Sequence, residues 1–387
     1  MSSVRRSYEE INEKIARGEA VVVTAEEVID MVDKNGIEET AKRVDVVTTG
    51  TFSPMCSSGA FLNFGHADPP IKMARVWLND VPAYTGIAAV DAYIGATERS
   101  ENDNEYGGAH VIEDLVSKRK VRLRSVGSVT DCYPRKEVDG YIDIDSLNEA
   151  FLFNPRNAYQ NYAAVTNSTG RTLYTYMGVL LPKFGNITYA TSGELSPLLN
   201  DPELRTIGVG TRIFLGGAVG YVAWNGTQHS PSEERTDRGI PVGPASTISV
   251  IGNLKEMSVE FIKAAYFKGY GPTLFVGIGV PIPILDEEML RFVSVRDEDI
   301  KTVLIDFGVQ RRDRPVLKVV TYGELKMGFV EMKGRKIPTA PISSMYKARQ
   351  IAYLLKKWIQ SGKFFVQRPV APLPKEGRVK PMVLKEA

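Results

Sequence analysis

Cysteine and histidine are scarce in this chain. Its 387 residues hold two cysteines, Cys56 and Cys132, and three histidines, His66, His110 and His229. Two cysteines cannot staple so long a chain, and a reducing cytosol would keep them as thiols. They cannot by themselves hold a structural zinc or a four-cysteine iron–sulfur cluster, so no tightly bound metal or cofactor is expected. A cluster shared between two copies stays open, as does the oligomeric state, a homo-oligomer included. The histidines form neither His-Glu-x-x-His nor His-x-His, which argues against a zinc hydrolase. There is no Gly-Lys-Ser/Thr phosphate loop and no Gly-x-Ser-x-Gly elbow. Charge of one sign is also missing: 48 basic and 46 acidic residues leave a net +2. No nucleic-acid surface is implied. Long apolar runs are absent too. TLFVGIGVPIPIL (Thr273 to Leu285) falls short of the ~20 residues of a spanning helix. The N-terminus carries no apolar run of the signal-peptide kind. A cytoplasmic protein with no membrane partner is the expectation.

What is present reads as α/β, with mixed sheets flanked by helices and active-site loops at strand ends. Ser7 to Glu10 and Thr24 to Glu27 fit capping boxes. They open helices that close at Gly18 and Gly36. VDVVTTG (Val44 to Gly50), KVRLRSV (Lys120 to Val126), TVLIDFGV and VLKVVTY read as strands. HVIEDLVSKRK is an amphipathic helix that His110 opens, and SSMYKARQIAYLLKKWIQSG another. NLKEMSVEFIKAAYFKG shows helical spacing through Leu254, Met257, Phe261, Ile262 and Ala265. Residues 1–370 are read as a single catalytic unit or as two closely packed lobes. Residues 371–387 form a proline-rich, charged tail, extended or disordered.

Each cysteine follows a strand, where ligand sites of open α/β sheets gather. Cys56 lies in TGTFSPMCSSGAFLNFGHADPP, among Ser53, Ser57, Ser58 and Gly59, which suit a pocket that stabilises a thiolate. SSGAFL is compatible with a helix starting just after the thiol, whose dipole would favour the thiolate. Cys132 lies in TDCYPRK, where Arg135 and Lys136 bring positive charge and Asp131 opposes it. A buried, inert cysteine is the plain alternative for both. His66 and His229 sit in polar loops suited to acid–base work or to simple hydrogen bonding. GTRIFLGG can form an anion-binding nest around Arg212, or merely a tight turn between strands.

The loops taken together resemble a known family. SGAFLNFGH, VTDCYPRK, FNPRNAYQNYAA, NSTGRTLYTYMG, GELSPLLNDPELRTIGVGTRIFLGG and NGTQHSP look like signatures of the homocysteine-biosynthesis family, from about Tyr8 to about Pro369. The resemblance implies L-aspartate semialdehyde sulfurtransferase activity, in which sulfide-derived sulfur and two electrons convert the aldehyde to homocysteine. It maps the family's functional cysteines onto Cys56 and Cys132 and implies a small ferredoxin-like protein as electron donor. Longer members end in nucleotide-binding CBS domains, which this sequence is expected to lack. Under this resemblance Cys56 is the preferred persulfide carrier and Cys132 the resolving thiol, with the reverse open. Ser57 and Ser58 would steady the developing alkoxide, and His66 or His229 would supply a proton. Arg212 or Arg156 would hold the substrate carboxylate, and Asp131 or Glu194 its ammonium. Two rival readings remain. One is an acyl- or coenzyme A-type transferase that uses the glycine-rich loops and a carboxylate such as Glu194. The other is a non-enzymatic persulfide carrier.

Overall fold

The computed structural model describes residues 4–310 and 313–385. Glu386 and Ala387, the end of the expected tail, lie outside the described residues.

Helix α1 (Tyr8–Arg17) has the expected capping box between Ser7 and Glu10 and stops at Gly18, whose φ of 71° is left-handed. Helix α2 (Ala25–Arg43) opens on the Thr24–Glu27 box. Gly36 (φ 77°) breaks it but does not close it, and helix resumes to Arg43. Asp45, fully buried just beyond, is paired with Arg6 and Lys14, tying the N-terminal arm to the body. Helices α3 (Gly108–Val116), α4 (Glu287–Val293), α5 (Tyr322–Lys326) and α6 (Met345–Gln360) complete the helical set among the described residues.

A nine-stranded antiparallel sheet forms the centre. Its order is Ile262–Phe267, Gly271–Gly279, Arg212–Leu215, Ala218–Asn225, Ile248–Asn253, Glu149–Asn157, Gly59–Asn63 and Asp91–Gly95. Thr51–Pro54 pairs as well along Gly271–Gly279. A six-stranded mixed sheet lies beside it, in the order Val316–Thr321, Lys301–Asp306, Ala164–Thr166, Ile187–Tyr189, Arg335–Pro341 and Phe329–Met332. Two of its pairings are parallel, Ala164–Thr166 with Lys301–Asp306 and Ile187–Tyr189 with Arg335–Pro341. A four-stranded antiparallel sheet (Val81–Ala83, Met73–Leu78, Val121–Gly127, Glu137–Ile142) carries Cys132 on the loop between its last two strands. The architecture is α/β, with helices packed on mixed and antiparallel sheets.

Helix α6 buries Ala348, Ile351, Ala352, Leu355 and Ile359. It lies so close to the chain at Gly50 that a Cβ there would stand 2.2 Å from Ala348 O. That approach packs α6 behind the strand leading to Cys56.

The helix expected around Leu254 to Ala265 does not form. Leu254–Glu256 is one 3-10 turn and Ile262–Phe267 is a strand. Leu254, Met257, Phe261 and Ile262 are buried as expected and Ala265 is half-buried, but a hairpin claims the backbone. Gly269 (φ 72°) permits the turn that returns the chain as Gly271–Gly279, and the pairing runs from Ile262↔Val276 to Phe267↔Gly271. Spacing alone does not separate a helix face from buried strand positions when the deciding partner lies further along the chain.

The end of the chain is extended and docked as far as it packs. Ala371–Pro372 pairs with Gly208–Val209, and Leu373 is buried.

Candidate active site

The helix expected after Cys56 is absent as well. Gly59–Asn63 is a central strand, held on one side by Asp91–Gly95 and on the other by Glu149–Asn157. Ala60 and Leu62 are buried while Phe61 and Asn63 are half-buried, the two-residue period of a strand. The thiol therefore does not stand at the start of a helix formed by SSGAFL. Cys56 instead occupies a tight turn between two strands. Pro54 ends the first strand, Met55 N donates to Leu274 O at 2.7 Å, and Ser58 N donates back to Met55 O at 3.0 Å.

A buried asparagine fixes this turn. Asn154 Nδ2 donates to Ser58 Oγ at 2.8 Å, and its Oδ1 accepts the Arg156 N–H at 2.8 Å. Ser57 Oγ lies 2.7 Å from Arg156 O and 2.9 Å from Asn154 Oδ1. The thiol turn and the strand that bears Arg156 are thus one unit.

Cys56, Ser57 and Arg156 line a cavity of about 270 Å³ at the seam of the nine- and six-stranded sheets. Tyr159, Tyr162, Tyr176, Tyr270 and Gln228 form much of the polar wall. Tyr162 Oη donates to Tyr176 Oη at 3.0 Å, and Tyr159 Oη donates to Gln228 Oε1 at 2.9 Å. The Tyr176 ring meets Tyr270 edge-on at 6.2 Å. The Tyr270 phenol and the Cys56 thiol line the same cavity, close enough for Cys56 to act on the phenol. Burial, then the neighbouring Cys56, raises the Tyr270 phenol above its ordinary range. Burial does the same to Tyr162. Both therefore remain protonated donors at neutral pH. The Arg156 guanidinium has no ion-pair or hydrogen-bond partner among the described residues. A cation left free on a cavity wall is suited to a carboxylate. No Asp, Glu, Lys or His is among the described lining residues.

The other expected site residues lie elsewhere. Ser58, 1% exposed, is spent on Asn154 behind the wall. Cys132 and Asp131 are exposed on the loop after Val121–Gly127, where Tyr133 stacks on His66 with ring centroids 6.0 Å apart. His66 follows the Asn63 end of the central strand, whereas Cys56 precedes the Gly59 end. That strand alone spans about 13 Å. Both thiols are free in this arrangement. A disulfide needs Cα atoms within about 7 Å, so direct pairing requires one loop to move. His229 clips the docked tail instead of facing the cavity: Nε2 is 2.8 Å from Pro374 O, and Nδ1 accepts from Thr247 N at 3.2 Å. Arg212 lies over the Phe364 ring at 4.7 Å. Glu194 accepts from Asp297 N at 3.4 Å, beside the Asp297–Lys326 ion pair. Burial and the Asp297 charge raise its carboxyl above the ordinary range.

Sequence reasoning passed over the four tyrosines and Asn154. The stretch Phe153 to Gly178 carries a visible concentration of aromatic hydroxyls, which points towards three of the tyrosines. Tyr270 has no such signal, because it sits at the turn of the hairpin read as helical.

The family described as "homocysteine biosynthesis enzyme, sulfur-incorporation" matches residues 20–366. The chain belongs to this family. An L-aspartate semialdehyde sulfurtransferase of Methanosarcina acetivorans is 54% identical over 385 residues, covering 99% of the chain and 75% of that relative. One of Methanocaldococcus jannaschii is 50% identical over 386 residues, covering 96% of the chain and 74% of the relative. No solved structure matches. Among the described residues, no helix of this family member is long and apolar enough to cross a membrane.

Proposed function

We propose that this chain is an L-aspartate semialdehyde sulfurtransferase, that Cys56 carries the incoming sulfur as a persulfide, and that Arg156 binds the substrate carboxylate. The observation that carries this reading is the shared cavity: Cys56 and Arg156, whose guanidinium has no ion-pair or hydrogen-bond partner among the described residues, line the same space. The two relatives are named for the same activity at 54% and 50% identity.

The net reaction joins the aldehyde, hydrogen sulfide, two electrons and two protons to give the thiol and water. The terminal sulfur on Cys56 attacks the electrophilic aldehyde carbon, for which a persulfide anion is a strong nucleophile. The sulfur–carbon bond forms as the carbonyl pair moves to oxygen. Loss of that oxygen as water and addition of the two electrons complete the product. The electrons come from an external donor of the ferredoxin-like kind. As resolving thiol, Cys132 acts after its loop swings towards Cys56. It attacks the Cys56 sulfur of the mixed disulfide, releasing the substrate-bound sulfur as the thiol and leaving a Cys56–Cys132 disulfide. Hydrogen sulfide then opens that disulfide at Cys56, which renews the persulfide and returns Cys132 as a thiol. The two external electrons are thus the only ones consumed.

Intact-mass spectrometry under anaerobic conditions tests the assignment, with a sulfur donor added to wild type, Cys56→Ala and Cys132→Ala. A +32 Da adduct, one sulfur, is expected in wild type and Cys132→Ala and not in Cys56→Ala. Homocysteine formed at the wild-type rate by Cys56→Ala would overturn the reading.

A further inference from the structure

The addition step needs an acid, and neither His66 nor His229 is among the described residues lining the cavity. No carboxylate or lysine is there either. Among the side chains that do line it, tyrosine hydroxyls are far better acids than those of serine and threonine, with an ordinary phenol pKa of ~10. Four tyrosines are present, but they are not equivalent. Tyr159 Oη is committed to Gln228 and Tyr162 Oη to Tyr176. Tyr176 Oη accepts from Tyr162, whereas Tyr270 Oη has no other hydrogen-bond partner among the described residues and its phenol interacts with Cys56 in the same cavity. It is placed by the hairpin turn, where Tyr270 N donates to Phe267 O at 2.9 Å. Arg99 Nη2 donates to its carbonyl at 2.7 Å.

We infer that Tyr270 is the catalytic acid of this site, donating its phenolic proton to the aldehyde oxygen as sulfur on Cys56 adds to the carbon. The inference rests on the sulfurtransferase reading above. In the step, the sulfur–carbon bond forms, the carbonyl π pair becomes an oxygen lone pair, and the Tyr270 O–H pair stays on the phenol oxygen as its proton moves to the substrate. Products of the step are a neutral hydroxyl adduct on sulfur and a phenolate, with no change of oxidation state. The phenolate recovers its proton from solvent before the next turnover. Geometry favours this donor, because a group beside the Cys56 sulfur lies along the short chain of bonds that links that sulfur, through the terminal sulfur and the attacked carbon, to the carbonyl oxygen. The Arg156 charge favours the Tyr270 phenolate but is outweighed by burial and by Cys56, which keep the proton on Tyr270 until negative charge develops on the adduct oxygen. Tyr176, edge-on to Tyr270, holds the ring in place.

The test uses the whole chain and two hydroxyl deletions that keep the rings, Tyr270→Phe and Tyr176→Phe. Persulfide loading on Cys56 is read by mass, folding by circular dichroism, and homocysteine formation with aldehyde, sulfide and reductant by kcat and KM. Tyr270→Phe is expected to load sulfur normally and keep KM, while kcat falls about 10²-fold, the ordinary scale of an acid catalyst. Tyr176→Phe is expected to lose no more than a tenth of that factor. A Tyr270→Phe enzyme within threefold of wild type overturns the inference, as does a larger loss in Tyr176→Phe than in Tyr270→Phe. A wild-type chain that loads sulfur but makes no homocysteine overturns the parent reading, and this inference falls with it.

Discussion

Asn154 Nδ2 donates to Ser58 Oγ at 2.8 Å, and neither side chain is more than 1% exposed. Through this bond the turn that presents Cys56 is fastened to the strand that presents Arg156. The two groups assigned to sulfur and carboxylate therefore keep one spacing, which preorganises attack on a substrate held at its other end.

Asn154→Ala removes that fastening and leaves buried partners on Ser58 and Arg156 unsatisfied. A loss of about 1–3 kcal/mol in unfolding free energy is expected. Homocysteine formation should fall further than stability predicts, on the order of 10²-fold in kcat/KM, because misplacement of about 1 Å is costly. Denaturant unfolding together with steady-state kinetics checks both. A stable, fully active variant would show that the turn holds itself.

Arg156→Ala should raise KM for the aldehyde roughly 10–100-fold while kcat changes much less, as expected when a charge-assisted bond to a non-reacting carboxylate is lost. Arg156→Lys should recover part of the binding, since the charge returns without the fork. A variant with unchanged KM would place the carboxylate elsewhere.

Neither histidine of the polar loops lines the cavity among the described residues. His66→Ala should leave kcat within about twofold of wild type, because the side chain touches no reacting atom. His229→Ala removes the clip between Thr247 and Pro374, so it should loosen the docked tail and lower stability by about 1–2 kcal/mol. Limited proteolysis near Pro374 and thermal melting read the second effect. A descending limb in kcat against pH that vanishes in either variant would return a histidine to the chemistry.

Glu194 supplies a pH dependence with a definite sign. Burial first, then Asp297, raises its carboxyl, so the folded chain holds this proton more tightly than the unfolded chain. Its contribution is harmless below the unfolded carboxylate range and becomes a penalty as pH rises through the folded value. Glu194→Gln keeps an acceptor for Asp297 N and carries no charge. Its melting temperature relative to wild type should climb between about pH 4 and pH 7. Parallel melting curves across that window would show that Lys326 already neutralises the penalty.

Local signals determined a good deal by themselves. The capping residues Ser7 and Thr24 set both N-terminal helix starts, because a cap bonds within four residues and needs no distant partner. The apolar stripe of α6 declared its buried face for the same reason. The long loop signatures marked the family, and two cysteines were few enough to single out Cys56. Tertiary structure decided the rest. SSGAFL became a strand because Asp91–Gly95 and Glu149–Asn157 flank it, and Ile262–Phe267 became one because Gly271–Gly279 returns beside it. Hydrogen bonds between strands join residues far apart in sequence, so no local window contains both partners. The same limit governed the site. Arg156 and Arg212, or Glu194 and Asp131, are equivalent as isolated letters. Only packing left Arg156 on a cavity wall with no ion-pair or hydrogen-bond partner among the described residues, laid Arg212 over Phe364, placed Glu194 beside Asp297, and brought Tyr270 from a distant hairpin into the cavity of Cys56.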